Sequence, residues 1–138
     1  MTYLLDSNTW IAYFRQKDLA LIQRIQQTDP NDIRLCSVVL GELYYGAFHG
    51  LVTYQASSLM QIAQLRQNYL SISFDDASTE RYGQICADLA ARGGLIGPND
   101  LLIAAIALTH GLTLVTHNTK EFARVAGLTL EDWETPTP

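Results

Sequence analysis

Four polar side chains stand where an α/β chain would present them beyond the ends of its strands. Asp6 ends the first apolar run of the chain, and Asn118 comes just after the apolar run 112–116. Glu42 lies one turn into the helix predicted after the second strand, and Asp100 begins a helix that is apolar on nearly every side. Because residues beyond the carboxyl ends of parallel strands share one rim of the sheet, we expect these four to converge.

A cluster of carboxylates favours one kind of chemistry. Carboxylates held together repel each other and raise each other's pKa unless a cation is present. Hard oxygen ligands suit Mg²⁺ or Mn²⁺, which keep some of their waters and accept phosphate oxygens. The set therefore indicates metal-assisted hydrolysis of a phosphodiester. Each residue alone also fits a structural role: Asp6 and Asp100 as helix caps, Glu42 as a solvated helix residue, Asn118 as a turn residue.

The elements that must position these residues alternate along the chain. Strand patterns alternate with helical patterns, which predicts right-handed crossovers and a mostly parallel sheet. The fold class is α/β, with one domain over residues 1–133 and a short polar tail, residues 134–138, that we expect to be frayed. The predicted strands are 2–5, 33–37, 70–74, 112–116 and 127–130, and the predicted helices are 8–14, 19–27, 38–50, 52–69, 77–92, 99–110 and 120–125.

Composition limits the expected cellular compartment of the protein and the classes of ligand that it can bind. The 138 residues are 48% hydrophobic and carry a formal net charge of −5, which suits one soluble domain and argues against broad electrostatic binding of nucleic acid. If the ligand is RNA, cations held in the acidic site must supply part of the attraction. We expect Cys36 and Cys86 to be buried thiols. No apolar run spans a bilayer and no secretory signal opens the chain, so we expect a cytoplasmic protein without membrane association.

Several segments together resemble the PIN-domain ribonucleases, and most closely the VapC toxins of bacterial type II toxin–antitoxin systems. Each motif alone is weak, but their order and spacing are specific and extend over nearly the whole chain. The segments are 4–8 (LLDSN), 41–46 (GELYYG), 97–100 (GPND), 115–122 (VTHNTKEF) and 127–133 (GLTLEDW).

The resemblance implies a fold, an activity and partners. The fold is a PIN-like three-layer α/β/α sandwich, and the activity is Mg²⁺-dependent endonuclease cleavage of RNA, in many members a tRNA. A VapB-like antitoxin would insert into the active-site groove, and the toxin would be a homodimer. Carried over by residue, Asp6 and Asp100 would be the principal metal ligands and Glu42 a third acid. Thr116 would hold the attacking water or a ligand side chain, and Asn8 would support the metal ligands.

One position departs from the family pattern. Many PIN domains have a fourth acid where this chain has Asn118, and an amide brings no charge to a metal site. This weakens the case for a second, tightly held ion. Glu121 is near enough in sequence to substitute, and its alternative role is that of a surface helix residue.

Two other functions remain open at this point. A phosphatase or phosphotransferase would use Asp6 as a nucleophile, although such enzymes carry a second acid where this chain has Asn8. A catalytically silent RNA-binding module, or a receiver-like domain, would need no hydrolytic site, although a receiver would need an acid pair beside Asp6.

Further residues are candidates for contacts around the site. We expect about two-thirds of the aromatic residues near the first two acids to be core and the rest to line a groove for an antitoxin helix; they are Trp10, Tyr13, Phe14, Tyr44, Tyr45 and Phe48. We interpret His117 as a turn residue. The candidates for contact with RNA phosphates are Arg15, Lys17, Arg92, Lys120 and Arg124.

Overall fold

The computed structural model describes residues 1–136, and its centre is a parallel sheet of five short strands. In this range the strand order is β3-β2-β1-β4-β5, and every neighbouring pair is parallel. The strands are β1 (Tyr3–Leu5), β2 (Ile33–Cys36), β3 (Leu70–Ile72), β4 (Thr113–Val115) and β5 (Leu130–Glu131).

Helices flank this sheet, and the predicted α/β/α sandwich is confirmed. Among residues 1–136, no helix combines the length and the apolar character needed to cross a membrane. The helices are α1 (Ser7–Phe14), α2 (Leu19–Gln27), α3 (Ser37–His49), α4 (Val52–Asn68), α5 (Asp76–Ala91), α6 (Pro98–His110) and α7 (Thr119–Phe122), with a 3₁₀ turn at Pro30–Asp32.

Strand β1 lies in the middle of the sheet because its side chains suit a fully covered position. Leu4 and Leu5 have no exposed surface, as expected for a parallel strand packed on both faces. Leu5 pairs with Val115 of β4, and the Asp6 N–H donates to the Val115 carbonyl at 3.1 Å. The chain segments that follow β1 and β4 are therefore neighbours, as the sequence predicts.

Helix α6 passes through the core and begins earlier than predicted. Pro98 occupies its first turn, where the fixed φ of proline suits a helix start and its missing N–H costs nothing. Gly97 is the N-cap, so Asp100 lies in the first turn and does not cap the helix. Gly111, at φ +64°, ends the helix in the left-handed conformation.

Two predicted strands have different limits in the structure. Strand β3 ends at Ile72 because the Phe74 N–H donates to the Ser37 hydroxyl at 3.1 Å and leaves the strand ladder. Strand β5 begins at Leu130, since Gly127 has φ +79° and makes a turn where a strand was expected.

The end of the described chain is held against the fold. Trp133 is buried, and its ring meets the ring of Tyr3 edge-on at 4.9 Å. The expected fraying does not extend to Thr135, because its N–H and hydroxyl donate to the Asp18 carboxylate at 2.9 and 2.6 Å. The last two residues of the predicted tail, 137 and 138, lie outside the described residues.

The cysteines are thiols, as expected. Cys36 is buried at the end of β2, and Cys86 is half-buried on α5. Burial is the main cause that raises the pKa of the Cys36 thiol to about 11. Cys36 is therefore an inert core residue at neutral pH.

Candidate active site

Asp6 combines a structural and a potential chemical role. One carboxylate oxygen accepts the Thr9 N–H at 2.9 Å and caps α1, and the other accepts the Thr116 hydroxyl at 2.6 Å. The residue is only 6% exposed. Capping and participation in a rim site are therefore compatible for this residue, because its two oxygens have different partners.

Thr116 joins β1 to the turn that follows β4. Its hydroxyl donates to Asp6 and accepts the Asn118 N–H at 3.0 Å, and the residue has no exposed surface. One buried hydroxyl therefore fixes both the Asp6 carboxylate and the backbone that carries Asn118.

We expect Thr116→Val to lower the free energy of unfolding by about 1–3 kcal/mol, because the near-isosteric side chain leaves the Asn118 N–H without an acceptor and one oxygen of Asp6 without its donor. Urea denaturation of the metal-free protein measures the change. Thr116→Ser, which keeps the hydroxyl, is the matched control and should lose clearly less. Equal losses for the two variants would show that the methyl group, and not the hydroxyl, is what matters at this position.

Glu42 reaches the rim from α3. It is partly buried and accepts the Ser7 hydroxyl at 3.1 Å. Ser7 is not among the predicted site residues, and no local pattern signals this contact because the two residues are 35 positions apart. Asn8 is exposed and lines the cleft beside Glu42.

Asp100 shows that the acids converge. Burial is the main cause that raises the pKa of its carboxyl group, and together with the negative charges of Glu121, Glu42 and Asp6 it brings that pKa to about 7. Three carboxylates from separate elements therefore act on one carboxyl group. The structure brings Asp6, Glu42 and Asp100 to one locality, as the rim argument predicts.

Glu121 is the fourth carboxyl group at this rim. It accepts the Gly97 N–H at 2.9 Å and an N–H of the Asn118 side chain at 2.5 Å, and these bonds lower its pKa. The carboxyl groups of Asp100 and Glu121 lie close together beside Gly97, and Glu121 raises the pKa of Asp100. Asn118 therefore donates to an acid at the rim, and Glu121 supplies the charge that Asn118 lacks.

Gly97 leaves room for these acids. A Cβ atom at this position would lie 3.3 Å from an Asp100 carboxylate oxygen and 3.7 Å from one of Glu121. Any larger residue would displace Asp100, so the absence of a side chain at Gly97 keeps the space between the acids open.

The donor set fits a hard divalent cation. Among residues 1–136, no ion pair includes any of the rim carboxylates, so no direct contact with a cationic side chain in this range offsets the repulsion that, with burial, raises the pKa of Asp100. A bound divalent ion would relieve it. Carboxylate oxygens suit Mg²⁺ or Mn²⁺ better than softer metals, and the space at Gly97 is compatible with an ion or its waters.

The acids open onto connected clefts. A small cleft of about 300 Å³ is lined by Glu42, the 97–99 turn and Asp100. A second cleft of about 630 Å³ includes Glu42, Ser7 and Tyr45. The rim is therefore accessible to a ligand from the side of α3.

The aromatic residues divide between core and surface much as predicted. Trp10 is fully buried, whereas Tyr45 and Phe48 are 67% and 60% exposed. The partly buried residues that pack against the core are Tyr13, Phe14 and Tyr44.

His117 belongs to a separate surface cluster. Its Nδ1 lies 3.0 Å from Asp132 and 3.8 Å from Glu134, and the Asp132 hydrogen bond raises the pKa of the imidazole. Within the described range these three are the one group of His, Cys or acid residues whose ligand atoms all lie within 4.8 Å of one another. The carboxylate oxygens of the rim do not all lie within this distance of one another. His117 contacts residues near the end of the described chain and does not contact the rim acids.

The comparisons with known proteins agree with this geometry. The PIN domain family matches residues 3–128. Ribonuclease VapC2 of Haemophilus influenzae is 33% identical over 135 residues, which cover 96% of this chain and 98% of that protein. The tRNA(fMet)-specific endonuclease VapC of Shigella flexneri is 36% identical over 135 residues, with the same coverage.

The solved structures point the same way. VapBC2 from Rickettsia felis, bound to a DNA fragment from its promoter, contains a chain that aligns with a TM-score of 0.88 and 31% identity. The alignment covers 97% of this chain and 100% of that one. The chain therefore belongs to the PIN-domain family and, within it, to the VapC ribonucleases.

Proposed function

We propose that the protein is a Mg²⁺-dependent endoribonuclease toxin. The observation that carries the proposal is the convergence of Asp6, Glu42, Asp100 and Glu121, where burial and the negative charges of the other acids together raise the pKa of Asp100 to about 7. Such a site is built for a divalent cation and a phosphate, and the relatives described above are named ribonucleases and endonucleases.

The proposed metal ligands are Asp6 and Asp100, with Glu42 as a third acid, and Mn²⁺ is an alternative ion. When bound, the ion supplies a Lewis acid that offsets charge on the scissile phosphate and favours ionisation of the attacking water. Thr116 orients Asp6 and Ser7 orients Glu42 by hydrogen bonds already present in the structure.

Asn118, Glu121 and Asn8 have supporting roles in this proposal. Asn118 fixes the Glu121 carboxylate by donating to it, and the Gly97 N–H holds the other oxygen. Glu121 in turn lies beside Asp100 and adds its charge next to that ligand. Asn8 is exposed in the cleft and is available to the substrate or to the hydration shell of the ion.

The proposed substrate is RNA, and a tRNA is the first to test because the Shigella relative is named a tRNA(fMet)-specific endonuclease. The proposed partner is a VapB-like antitoxin, since the solved relatives are VapBC complexes. An acidic rim suits a basic antitoxin segment. The toxin would act in the cytoplasm as a homodimer.

A nucleophilic role for Asp6 has little support. Both of its carboxylate oxygens accept hydrogen bonds, and the residue is 6% exposed. A phosphatase mechanism would need one of these oxygens to be free to attack phosphorus. The catalytically silent RNA-binding module remains as an outcome of the experiment below.

The test compares the purified wild-type protein with Asp6→Asn on labelled tRNA, with Mg²⁺ and with EDTA. We expect cleavage that needs Mg²⁺ and a loss of about a thousandfold in the variant, because asparagine keeps the helix cap but removes the ligand charge. Asp76→Asn is the matched control, since this acid is exposed in the first turn of α5 and should be neutral.

Two results would overturn the proposal. Equal cleavage by the wild-type protein and Asp6→Asn would assign the activity to a contaminant or to another site. Binding of RNA without cleavage, across several RNAs and with Mg²⁺ or Mn²⁺, would identify a silent RNA-binding module.

A further inference from the structure

We propose that Arg15 and Lys17 form a phosphate-binding site for the RNA backbone, away from the scissile bond. The inference rests on the proposed function and adds to it the residues that hold the substrate. It starts from a groove of about 1000 Å³ that runs between α1, α3 and α4 and is lined by both cations.

The groove is continuous with the acidic rim. It shares Ile11 and Glu42 with the cleft that contains Ser7 and Asn8. One end of the continuous channel therefore holds the carboxylates, and the other holds Arg15 and Lys17. A strand of RNA whose scissile phosphate lies at the acids would place a neighbouring part of its backbone in this groove.

Arg15 and Lys17 are available to a ligand. Both are exposed, and within residues 1–136 neither side chain takes part in an ion pair or a side-chain hydrogen bond. By contrast, Arg24 and Arg92 are paired with acids, and Arg124 donates to the Gly94 carbonyl.

The nearby acids do not neutralise this pair. Asp18 follows Lys17 directly but does not line the groove, and its carboxylate accepts hydrogen bonds from Leu21 and Thr135 and forms no ion pair with Lys17. The acid that lines the groove is Glu42, at the rim end, which accepts the Ser7 hydroxyl. The charge of the groove is thus divided, negative at the rim and positive at the far end.

The backbone places Arg15 and Lys17 so that both side chains line the same groove. Gln16, between them, has φ +55°, a conformation that side chains other than glycine adopt uncommonly. Its side-chain amide donates to the Tyr13 carbonyl at 2.8 Å and stabilises this turn at the end of α1. The turn places the residues before and after Gln16 along the same surface.

The rest of the groove lining is mixed, with apolar side chains from α1, α3 and α4 and several groups that can contact RNA. Tyr54 is 63% exposed and offers a ring for base stacking, and Ser57, Ser58 and Gln61 offer hydrogen-bonding groups. A protein segment basic enough to enter the acidic rim would meet like charge at Arg15 and Lys17. RNA, with a phosphate at every nucleotide, meets opposite charge there.

The test measures binding of labelled tRNA to Asp6→Asn with Mg²⁺, so that the RNA stays intact, at 50 and 200 mM salt. Adding Arg15→Gln and Lys17→Gln to Asp6→Asn should weaken binding. The salt slope, which is the slope of the logarithm of the binding constant against the logarithm of the salt concentration, should become shallower by about 1.4–1.8, the value for two phosphate contacts. Between 50 and 200 mM salt, the affinity of this triple variant should fall about tenfold less than the affinity of Asp6→Asn alone.

Two controls separate a phosphate contact from a general charge effect. Arg81→Gln removes one charge from an exposed position on α5, outside the groove, and should change the slope less than Arg15→Gln does. The double variant Arg15→Lys, Lys17→Arg keeps both charges and should keep most of the slope.

Steady-state kinetics in the otherwise wild-type protein give a second measurement. Loss of a remote phosphate contact should raise KM several-fold and leave kcat nearly unchanged, since this contact is made equally in the ground and transition states. A fall in kcat at constant KM would contradict a binding role.

The outcomes are distinct from those of the proposed function. Suppose that Asp6→Asn binds RNA and the wild-type protein cleaves it. If adding Arg15→Gln and Lys17→Gln then leaves the affinity and the salt slope of Asp6→Asn unchanged, the proposed phosphate site is wrong, and a protein partner becomes the candidate ligand of the groove. If the wild-type protein does not cleave RNA at all, the proposed function fails whatever these variants show.

Discussion

Asp100→Asn should stabilise the metal-free protein at pH 8 and abolish cleavage of RNA. Asparagine removes a carboxyl group whose ionised form is disfavoured by burial and by the negative charges of the neighbouring rim acids, so both penalties fall. We expect a gain on the order of 2 kcal/mol in the free energy of unfolding, after allowance for solvent screening. Cleavage should fall about a thousandfold because the variant loses a proposed metal ligand.

The gain should depend on pH in a defined direction. The pKa of Asp100 is about 7 in the folded protein and ordinarily 3.8, so the folded state binds this proton more tightly than the unfolded state. The stability that this proton contributes is fully present below pH 3.8 and is lost as the pH rises to about 7. Asparagine does not titrate, so the advantage of the variant grows over this range.

Urea denaturation in EDTA at pH 5 and pH 8 measures the difference between the variant and the wild-type protein. Mg²⁺ at pH 8 should stabilise the wild-type protein and not the variant. Asp76→Asn, which changes an exposed acid on α5, is the matched control and should show no trend. A constant difference between the two pH values would mean that neither burial nor the neighbouring acids raise the pKa of Asp100.

Trp133→Ala should destabilise the fold by about 3–5 kcal/mol, as expected for removal of a buried tryptophan. The indole packs against Tyr3 at 4.9 Å and lies 4.6 Å from the Arg24 guanidinium, and its N–H donates to Glu131 at 2.9 Å. These contacts join the last residues of the domain to β1, β5 and α2.

Urea denaturation measures this loss as well, with Trp133→Phe as the conservative control that keeps the aromatic packing. Removal of residues 134–138 should cost only about 1 kcal/mol, the value of the Thr135 bonds to Asp18. This contrast tests the predicted domain limit at residue 133. A loss below about 1 kcal/mol for Trp133→Ala would place that limit before Trp133.

The sequence predicts the order of the elements and the convergence of the acids because both depend on short-range patterns. Strand and helix periods are local, and a parallel sheet places the residues after β1 and β4 side by side whatever the details. Asp6 and Asn118 could therefore be placed together from the chain alone. The limits of β3 and β5 could not, because a Ser37 hydroxyl and a turn at Gly127 determine them.

The contacts between side chains at the rim could not be predicted from the sequence either. Ser7 meets Glu42 across 35 positions, and Glu121 meets the Gly97 N–H across 24. Such pairs depend on how helices pack on the sheet, and the residue types involved are common at turns. Proximity in sequence suggested Glu121 as a substitute for Asn118, but only the structure shows that Asn118 donates to it.

The hydrogen bond between Thr116 and Asp6 joins residues 110 positions apart. A growing polypeptide therefore makes its first site residue almost at once but completes the rim only after β4 has inserted beside β1. Products of premature termination after Asp100 but before Thr116 carry Asp6, Glu42 and Asp100 but lack Thr116, which holds Asp6, and so cannot complete the site. If the protein acts as proposed, an antitoxin has to intercept only nearly complete chains, and the synthesis time of the toxin sets the interval available for this.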